Sequence, residues 1–252
     1  MVQKRRRLSS DGFKLFNMAY SHPPSYSRIK EMLHCIWHTE YDDKLETMVE
    51  QCRDASEQIY SIHNNKDVNI NYLLNNAIYN LIYCILCEDD KLTTKHQVKR
   101  NYRYFMDVMQ MCYNEEDHNT AILILNALQH TALKIFKIKL RKKDKMFMEE
   151  IEKKYGTWRD SWLKHLVEVM TKPLDALYIP SLMVLNIHKE KNRIYGSHVN
   201  LKNAFSSEDI AAYIGMYTLY HNGLAEKITY PLYEEPPVKD NPSLMMLANS
   251  IK

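Results

Sequence analysis

Two segments with helical spacing of apolar residues flank a short polar break between Glu88 and Phe136. Side chains three and four positions apart share one helix face, so this spacing predicts two amphipathic helices. The break is Asp117-His118-Asn119, whose short polar side chains can cap the second helix. The first segment carries Tyr102, Phe105, Met106, Val108, Met109 and Met111, and the second carries Ala121, Ile122, Ile124, Leu125, Leu128, Leu133 and Phe136.

Similar spacing recurs along most of the chain and predicts further helices over 26–38, 43–63, 70–86, 145–154, 158–170 and 206–220. The segment 70–86 is apolar on nearly all sides, which predicts a buried central helix. Only 5 glycines and 8 prolines occur among 252 residues, too few for an all-β chain with many turns. We therefore predict an all-α fold.

The predicted organisation is a single multi-helix globular domain, since 252 residues can bury one full core. We expect an irregular basic arm over 1–24, the helical domain over 25–235, and a C-terminal tail over 236–252, with extended chain from Pro231 onward. The segment 179–187, IPSLMVLNI, is apolar throughout. Periodicity leaves open whether it forms a buried strand or a buried helix.

Composition excludes several classes of protein. A net charge of +3 from 34 basic and 31 acidic residues is too balanced to indicate a nucleic-acid-binding protein. Five cysteines without framework spacing are typical of a reducing compartment, so we expect a cytoplasmic protein. The sequence contains no run of 18 apolar residues, so we predict no transmembrane segment. The N-terminal residues also lack the apolar stretch of a signal peptide.

Candidate metal and catalytic residues are few. His34 and His38 stand one helical turn apart beside Cys35, without the Glu of a zinc-binding H-E-x-x-H motif. Cys84 and Cys87 have C-x-x-C spacing inside an apolar segment, where that spacing also marks one face of a core helix. The chain has no glycine-rich phosphate loop and no G-x-S-x-G motif. We therefore expect no metal, no cofactor and no covalent chemistry.

Each of two basic clusters has a purely structural and a functional interpretation. The N-terminal cluster, Lys4, Arg5, Arg6 and Arg7, is a solvated terminus or a weak contact with an anionic membrane surface. The second cluster is predicted to cover one to two helical turns. It is a solvated face or a surface for an acidic partner, and it comprises Lys134, Lys137, Lys139, Arg141, Lys142 and Lys143.

The order and spacing of several motifs resemble the catalytic domain of Ras-type guanine nucleotide exchange factors, the Cdc25-homology fold. That family has a helix, an Asn-Phe-Asn break and a second helix; here the break is Asp117-His118-Asn119, with His118 in place of the phenylalanine. The family's Cys-Ile-Pro element corresponds to Tyr178-Ile179-Pro180, whose proline lies 61 positions after Asn119. Ala204-Phe205-Ser206 resembles its Asn-Phe-Ser helix start. The resemblance covers roughly 79–233.

The resemblance implies an all-α domain with a projecting helical hairpin that begins after Pro180 and wedges into a small GTPase of the Ras superfamily. It implies that the working edge of the hairpin includes Leu185, Ile187, Lys189, Glu190 and Asn192. Further GTPase contacts are expected from Ser181, Leu182, Gln129 and Lys134. The hairpin is about one helical turn shorter than in the family, and that gap falls either before or after Glu190.

Three hypotheses for the function follow. The first is a small-GTPase exchange factor, acting in its own cytoplasm or, as a secreted bacterial effector, in a host cytosol. The second is a helical module that binds a GTPase or another protein without exchange activity. The third is an unrelated all-α protein, including a metal enzyme built on His34 and His38.

Overall fold

The computed structural model describes residues 41–62, 69–88, 91–155, 167–171, 178–186, 207–220 and 231–252. These residues are mostly helical, which confirms the predicted all-α fold. The elements are α1 (Tyr41–Ile62), α2 (Ile70–Leu86), β1 (Cys87–Glu88), β2 (Lys91–Leu92), α3 (Lys95–Asn114), α4 (His118–Leu128), α5 (Thr131–Lys134), α6 (Lys142–Tyr155), α7 (Ser207–Tyr220), a 3-10 turn (Pro231–Tyr233) and α8 (Asn241–Ile251).

Helix α2 has the bounds that the sequence predicts. The Asn69 side chain accepts a hydrogen bond from the Tyr72 N–H and caps its start. At its end, Cys87 turns into extended backbone. Residues 87–88 pair with 91–92 as a short antiparallel ladder, with Cys87 opposite Leu92. The C-x-x-C spacing therefore straddles a helix end, with Cys84 half-buried on α2 and Cys87 buried on β1.

Helices α3 and α4 form the pair predicted around the polar break. Thr94 caps α3 by accepting from the Gln97 N–H, and Asp117 caps α4 by accepting from the Thr120 N–H. Every residue of α4 except Asn126 is buried, so α4 lies at the centre of the described helices. It packs against α3 and α2, and α1 packs along α3.

The second predicted helix is shorter than the apolar spacing suggests. Helix α4 ends at Leu128, and the chain turns at Gln129 and His130 before the single-turn helix α5. The His130 side chain accepts a hydrogen bond from the Ala132 N–H, so it restarts the helix in a new direction. Leu133 and Phe136 still reach the core from this new direction.

Two further predictions differ from the structure. The basic cluster does not form helical turns throughout, since residues 137–141 between α5 and α6 are not helical. The tail is not wholly extended either, because 241–251 form α8. Asp240 caps this helix and a proline stands in its first turn, where proline is well tolerated. Leu244 and Ala248 are buried, which fixes α8 on the core.

Several predictions lie outside the described residues: the arm over 1–24, the helix over 26–38, most of the helix over 158–170, and the hairpin beyond 186. Residues 167–171 are helical. No helix in the described ranges is both long enough and apolar enough to cross a bilayer.

Candidate functional site at the Asp117 junction

The polar break between α3 and α4 pairs with the segment that contains Pro180. The Ile179 N–H donates to the Glu116 carbonyl, and the His118 N–H donates to the Ile179 carbonyl, both at 2.9 Å. Asp117 and Ile179 thereby form an isolated parallel bridge. Two motifs that lie far apart in the sequence are in this way joined through their backbones. We call residues 115–119 the junction.

The junction begins with a Schellman motif at the end of α3. The Asp117 N–H donates to the Cys112 carbonyl at 2.8 Å, and the Glu116 N–H donates to the Tyr113 carbonyl at 3.2 Å. Glu116 has a φ of 65°, the left-handed conformation that this motif requires and that usually favours glycine. The turn aims the Glu116 carbonyl at Ile179.

Asn119 connects three parts of the chain through its side-chain amide. Its Oδ1 accepts the Leu182 N–H at 3.1 Å, at the first residue of the helical segment 182–186. Its Nδ2 donates to the Ser56 Oγ at 3.1 Å and to the Tyr233 hydroxyl at 3.3 Å. Asn119 is fully buried, so these bonds form away from competing water.

The buried hydroxyls around Asn119 continue the network into α1. Ser56 and Thr120 lie 2.9 Å apart through their hydroxyl oxygens, and the Thr120 hydroxyl also donates to the Cys52 carbonyl at 3.3 Å. We call the side chains of Ser56, Asn119, Thr120 and Tyr233 the Asn119 network. Because its members come from different elements, the network fixes how those elements meet.

Asp117 is the buried carboxyl of the junction. Burial raises the pKa of Asp117 to about 6, although hydrogen bonds from Thr120 and Ser56 and the positive charge of Arg53 act to lower it. Arg53 approaches from α1 and donates to the Glu115 carbonyl at 2.9 Å. The junction is therefore tied to α1 on its charged side as well.

His118 lies on the opposite side of the junction, within a group of aromatic rings. Its ring centroid lies 4.9 Å from that of Tyr178, 5.3 Å from Tyr113 and 5.7 Å from Tyr155. Its Nδ1 hydrogen-bonds the Tyr155 hydroxyl, and its Nε2 lies 3.3 Å from a Glu116 carboxylate oxygen. Burial raises the pKa of Tyr155 and of Tyr178 well above the ordinary tyrosine range. Both phenols are thus held neutral.

The segment after the bridge is held from α1 as well. The Tyr60 hydroxyl donates to the Pro180 carbonyl at 2.8 Å. Residues 182–186 then form a short helix, whose start is supported by the Ser181 hydroxyl accepting the Val184 N–H at 3.4 Å. Within the described part of 179–187, Ile179 pairs as an isolated bridge and residues 182–186 are helical, so the structure supports the helix alternative there.

The C-terminal segment around Tyr233 reaches the network through α2. The Asn76 Nδ2 donates to the Tyr233 carbonyl at 3.3 Å, and the Asn80 Nδ2 donates to the Leu232 and Glu234 carbonyls, each at 3.0 Å. These two asparagines lie one helical turn apart on a helix that is otherwise mostly apolar. They position the Tyr233 hydroxyl beside Asn119.

The predicted partner-binding residues have different surroundings. Ser181, Leu182 and Leu185 are fully buried, so in this structure they support the segment from inside and present no side-chain surface to a partner. Gln129 is half-buried, and its amide donates to the Glu152 carboxylate. Lys134 is exposed at the end of α5. Ile187, Lys189, Glu190 and Asn192 lie outside the described residues.

Ser56, Tyr60 and Tyr233 belong to the site but were not singled out from the sequence. The only sequence signal for such residues is a polar group on an otherwise apolar helix face, as for Ser56 on α1. Asn76 and Asn80 carry the same signal on α2, and all three side chains are buried. Buried polar groups need partners, so polar residues on a predicted core face point to a structural network.

The described residues contain no candidate metal site. Among the residues whose placement the structure gives, no group of three or more His, Cys, Asp or Glu side chains could hold a metal ion. His34, Cys35 and His38 lie outside those residues.

The chain matches no protein-family model, and a search of curated proteins also finds no match.

Proposed function

We propose that this protein is a guanine nucleotide exchange factor for a small GTPase of the Ras superfamily. The observation that supports the proposal is the backbone pairing of the junction with Ile179, through two hydrogen bonds of 2.9 Å. It joins two of the motifs that carry the resemblance, Asp117-His118-Asn119 and Tyr178-Ile179-Pro180. A hairpin that wedges into a GTPase needs a rigid base, and these contacts can supply one.

The proposed mechanism needs no nucleophile and no cofactor. An exchange factor binds the nucleotide-free GTPase more tightly than the nucleotide-bound GTPase, and linkage then weakens nucleotide binding in the complex. In our proposal the hairpin beyond residue 186 opens the switch region, and the Glu190 carboxylate competes for the magnesium or phosphate-binding groups. Lys134 contributes to the broad surface, on the order of 1,600 Å², that a standard interface requires.

The first test is release of a fluorescent GDP analogue from Ras, Rap, Ral, Rab and Rho-type GTPases, with excess unlabelled GTP present. We expect accelerated release from one or a few of them. Glu190→Ala should lower this acceleration, whereas Glu150→Ala, at an exposed glutamate on α6, should leave it unchanged. Equal activity of both variants, with intact helical spectra, would remove Glu190 from the mechanism.

The second candidate is a helical module that binds a GTPase without exchange. It is favoured by the complete burial of Leu182 and Leu185, which leaves fewer residues of a shortened hairpin for wedging. The two candidates differ in binding: an exchange factor must prefer the nucleotide-free GTPase, and equal affinities for the two forms shift no equilibrium. Equal affinities for the nucleotide-free and GDP-loaded forms would therefore support the binding module.

A further inference from the structure

The segment 134–143, KIFKIKLRKK, links α5 to α6 and contains six basic and no acidic residues. We call it the basic strap. Its side chains alternate from residue 137 to residue 141: Ile138 and Leu140 are half-buried against the core, while Lys137, Lys139 and Arg141 are exposed. The apolar side chains therefore hold the strap to the body of the protein and direct its cations outward.

Arg141 anchors the strap and, among the described residues, is the one basic residue of the strap that forms ion pairs. Its Nε lies 2.6 Å from Asp144, and its Nη2 lies 2.7 Å from Asp107 on α3. Asp144 is buried, so this contact fixes the end of the strap where α6 begins. Both of these aspartates are therefore ion-paired with Arg141.

The five lysines of the strap keep their charge available to solvent. All five are exposed, and within the described ranges no carboxylate forms an ion pair with Lys134, Lys137, Lys139, Lys142 or Lys143. Lys145, one residue beyond Asp144, is paired instead with Glu149 at 3.6 Å. Unpaired lysines this close together repel one another, so the strap carries an electrostatic cost that an anionic partner would relieve.

The position of two lysines adds to this cost. Lys142 and Lys143 stand in the first turn of α6, where the helix dipole favours acidic residues. Met146 lies four positions after Lys142 and three after Lys143, on the same helix face. Its side chain protrudes, and 60% of its surface is exposed. Cationic side chains and a protruding apolar side chain thus share one surface.

We propose that the basic strap is a docking surface for an anionic lipid bilayer. Lysines clustered at a surface attract anionic headgroups by about 1 kcal/mol each. An exposed apolar side chain beside them can enter the boundary between headgroups and acyl chains. The strap offers both, with Met146 as the apolar contact.

The composition of the strap favours lipid over other anionic partners. Protein interfaces are enriched in arginine and depleted in lysine, and the single arginine of the strap is already bound to two aspartates of its own chain. Surfaces for single-stranded nucleic acid combine cations with aromatic side chains for base stacking. The strap has one aromatic residue, Phe136, and it is buried.

The test is co-sedimentation of the full chain with vesicles of phosphatidylcholine alone and of phosphatidylcholine mixed with phosphatidylserine. The variant K139Q/K142Q/K143Q removes three strap lysines. The matched control, K91Q/K95Q/K153Q, removes three exposed lysines elsewhere. Both keep Lys134, which belongs to the proposed GTPase surface, and no GTPase is present, so the result does not depend on the proposed function.

We expect the wild-type chain to bind the mixed vesicles, to bind phosphatidylcholine alone weakly, and to be released by salt. The strap variant should bind about a hundredfold more weakly, since each lysine contributes about fivefold, and the control should bind as the wild type does. Met146→Ser should weaken binding severalfold without changing the salt dependence.

Three outcomes would overturn the proposal. The first is no preference of the wild-type chain for the mixed vesicles. The second is equal binding by the two triple variants, which would assign vesicle binding to overall charge or to another surface such as the arm over 1–24. The third is strap-dependent binding to polyglutamate or to duplex RNA in the absence of vesicle binding, which would assign the strap to a protein or a nucleic acid.

Discussion

The side-chain carbonyl of Asn119 accepts the backbone N–H of Leu182 at 3.1 Å, across 63 positions of sequence. One amide at the start of α4 therefore fixes the start of the helical segment that follows Pro180. The same amide donates to Ser56 and Tyr233, so that segment is held by the centre of the fold. Its position depends on α1, α4 and the C-terminal segment together.

Replacing Asn119 with alanine should destabilise the protein by about 3 kcal/mol, because it removes three hydrogen bonds and leaves the buried Leu182 N–H without its acceptor. Urea unfolding measures the change. The matched control is Asn75→Ala, at an exposed asparagine on α2. This control should cost about 0.5 kcal/mol or less. Equal costs would mean that the Asn119 network contributes no more than a surface residue.

The bond between Tyr60 and Pro180 is a second and separable contact with the same segment. Tyr60→Phe keeps the ring and removes only the hydroxyl, leaving the Pro180 carbonyl without that donor. We expect a loss of about 1 to 2 kcal/mol in the free energy of unfolding. In the control, Tyr72→Phe, the hydroxyl is exposed and lies 3.4 Å from Glu235, so the change should stay within about 0.5 kcal/mol. A loss as small as the control's would contradict a holding role for Tyr60.

We expect His118 to contribute to the junction more through the packing of its ring than through its hydrogen bonds. Its imidazole packs among Tyr113, Tyr155 and Tyr178, so His118→Phe retains the packing and loses only the polar contacts. We expect this variant to lose about 1 kcal/mol. His118→Ala opens a cavity and should lose about 3 kcal/mol. Thermal unfolding of the two variants compares these costs, and an equal loss in both would show that the hydrogen bonds matter more than the ring.

The helices were predictable where local and tertiary signals agree. The bounds of α2 follow from apolar residues on nearly all sides of the segment 70–86, and the structure adds the Asn69 cap at its start. The end of α4 was not predictable from spacing, because apolar residues continue past Leu128. There the turn depends on the His130 side chain, which bonds a backbone N–H two residues later.

Near helix α8, two local sequence signals indicate different structures. Pro236 and Pro237 indicate an extended tail, yet Asp240, followed by Asn241-Pro242, is a helix start of the usual kind.

The Asn119 network could not be predicted from the sequence, for a different reason. Ser56 and Tyr233 are ordinary residues in sequence, and only the packing of α1 and the C-terminal segment brings them to Asn119. The spacing of residues along one segment does not predict contacts between separate segments.

The buried carboxyl of Asp117 should make stability depend on pH. Its pKa rises from 3.8 in the unfolded chain to about 6 in the folded protein, so between these values the folded protein holds a proton that the unfolded chain has released. The stabilisation is complete below pH 3.8 and is lost as the pH rises through about 6. At 1.36 kcal/mol per pH unit, the loss is about 3 kcal/mol.

Asp117→Asn keeps an oxygen that can cap α4 and removes the titration. The stability of the variant relative to the wild type should therefore increase by about 2.5 kcal/mol between pH 4 and pH 7, as measured by urea unfolding at each pH. Asp240→Asn, at the exposed N-cap of α8, is the matched control for the capping chemistry. A difference between Asp117→Asn and wild type that stays constant with pH, or a similar trend in the control, would contradict the assignment of this pH dependence to the buried Asp117 carboxyl.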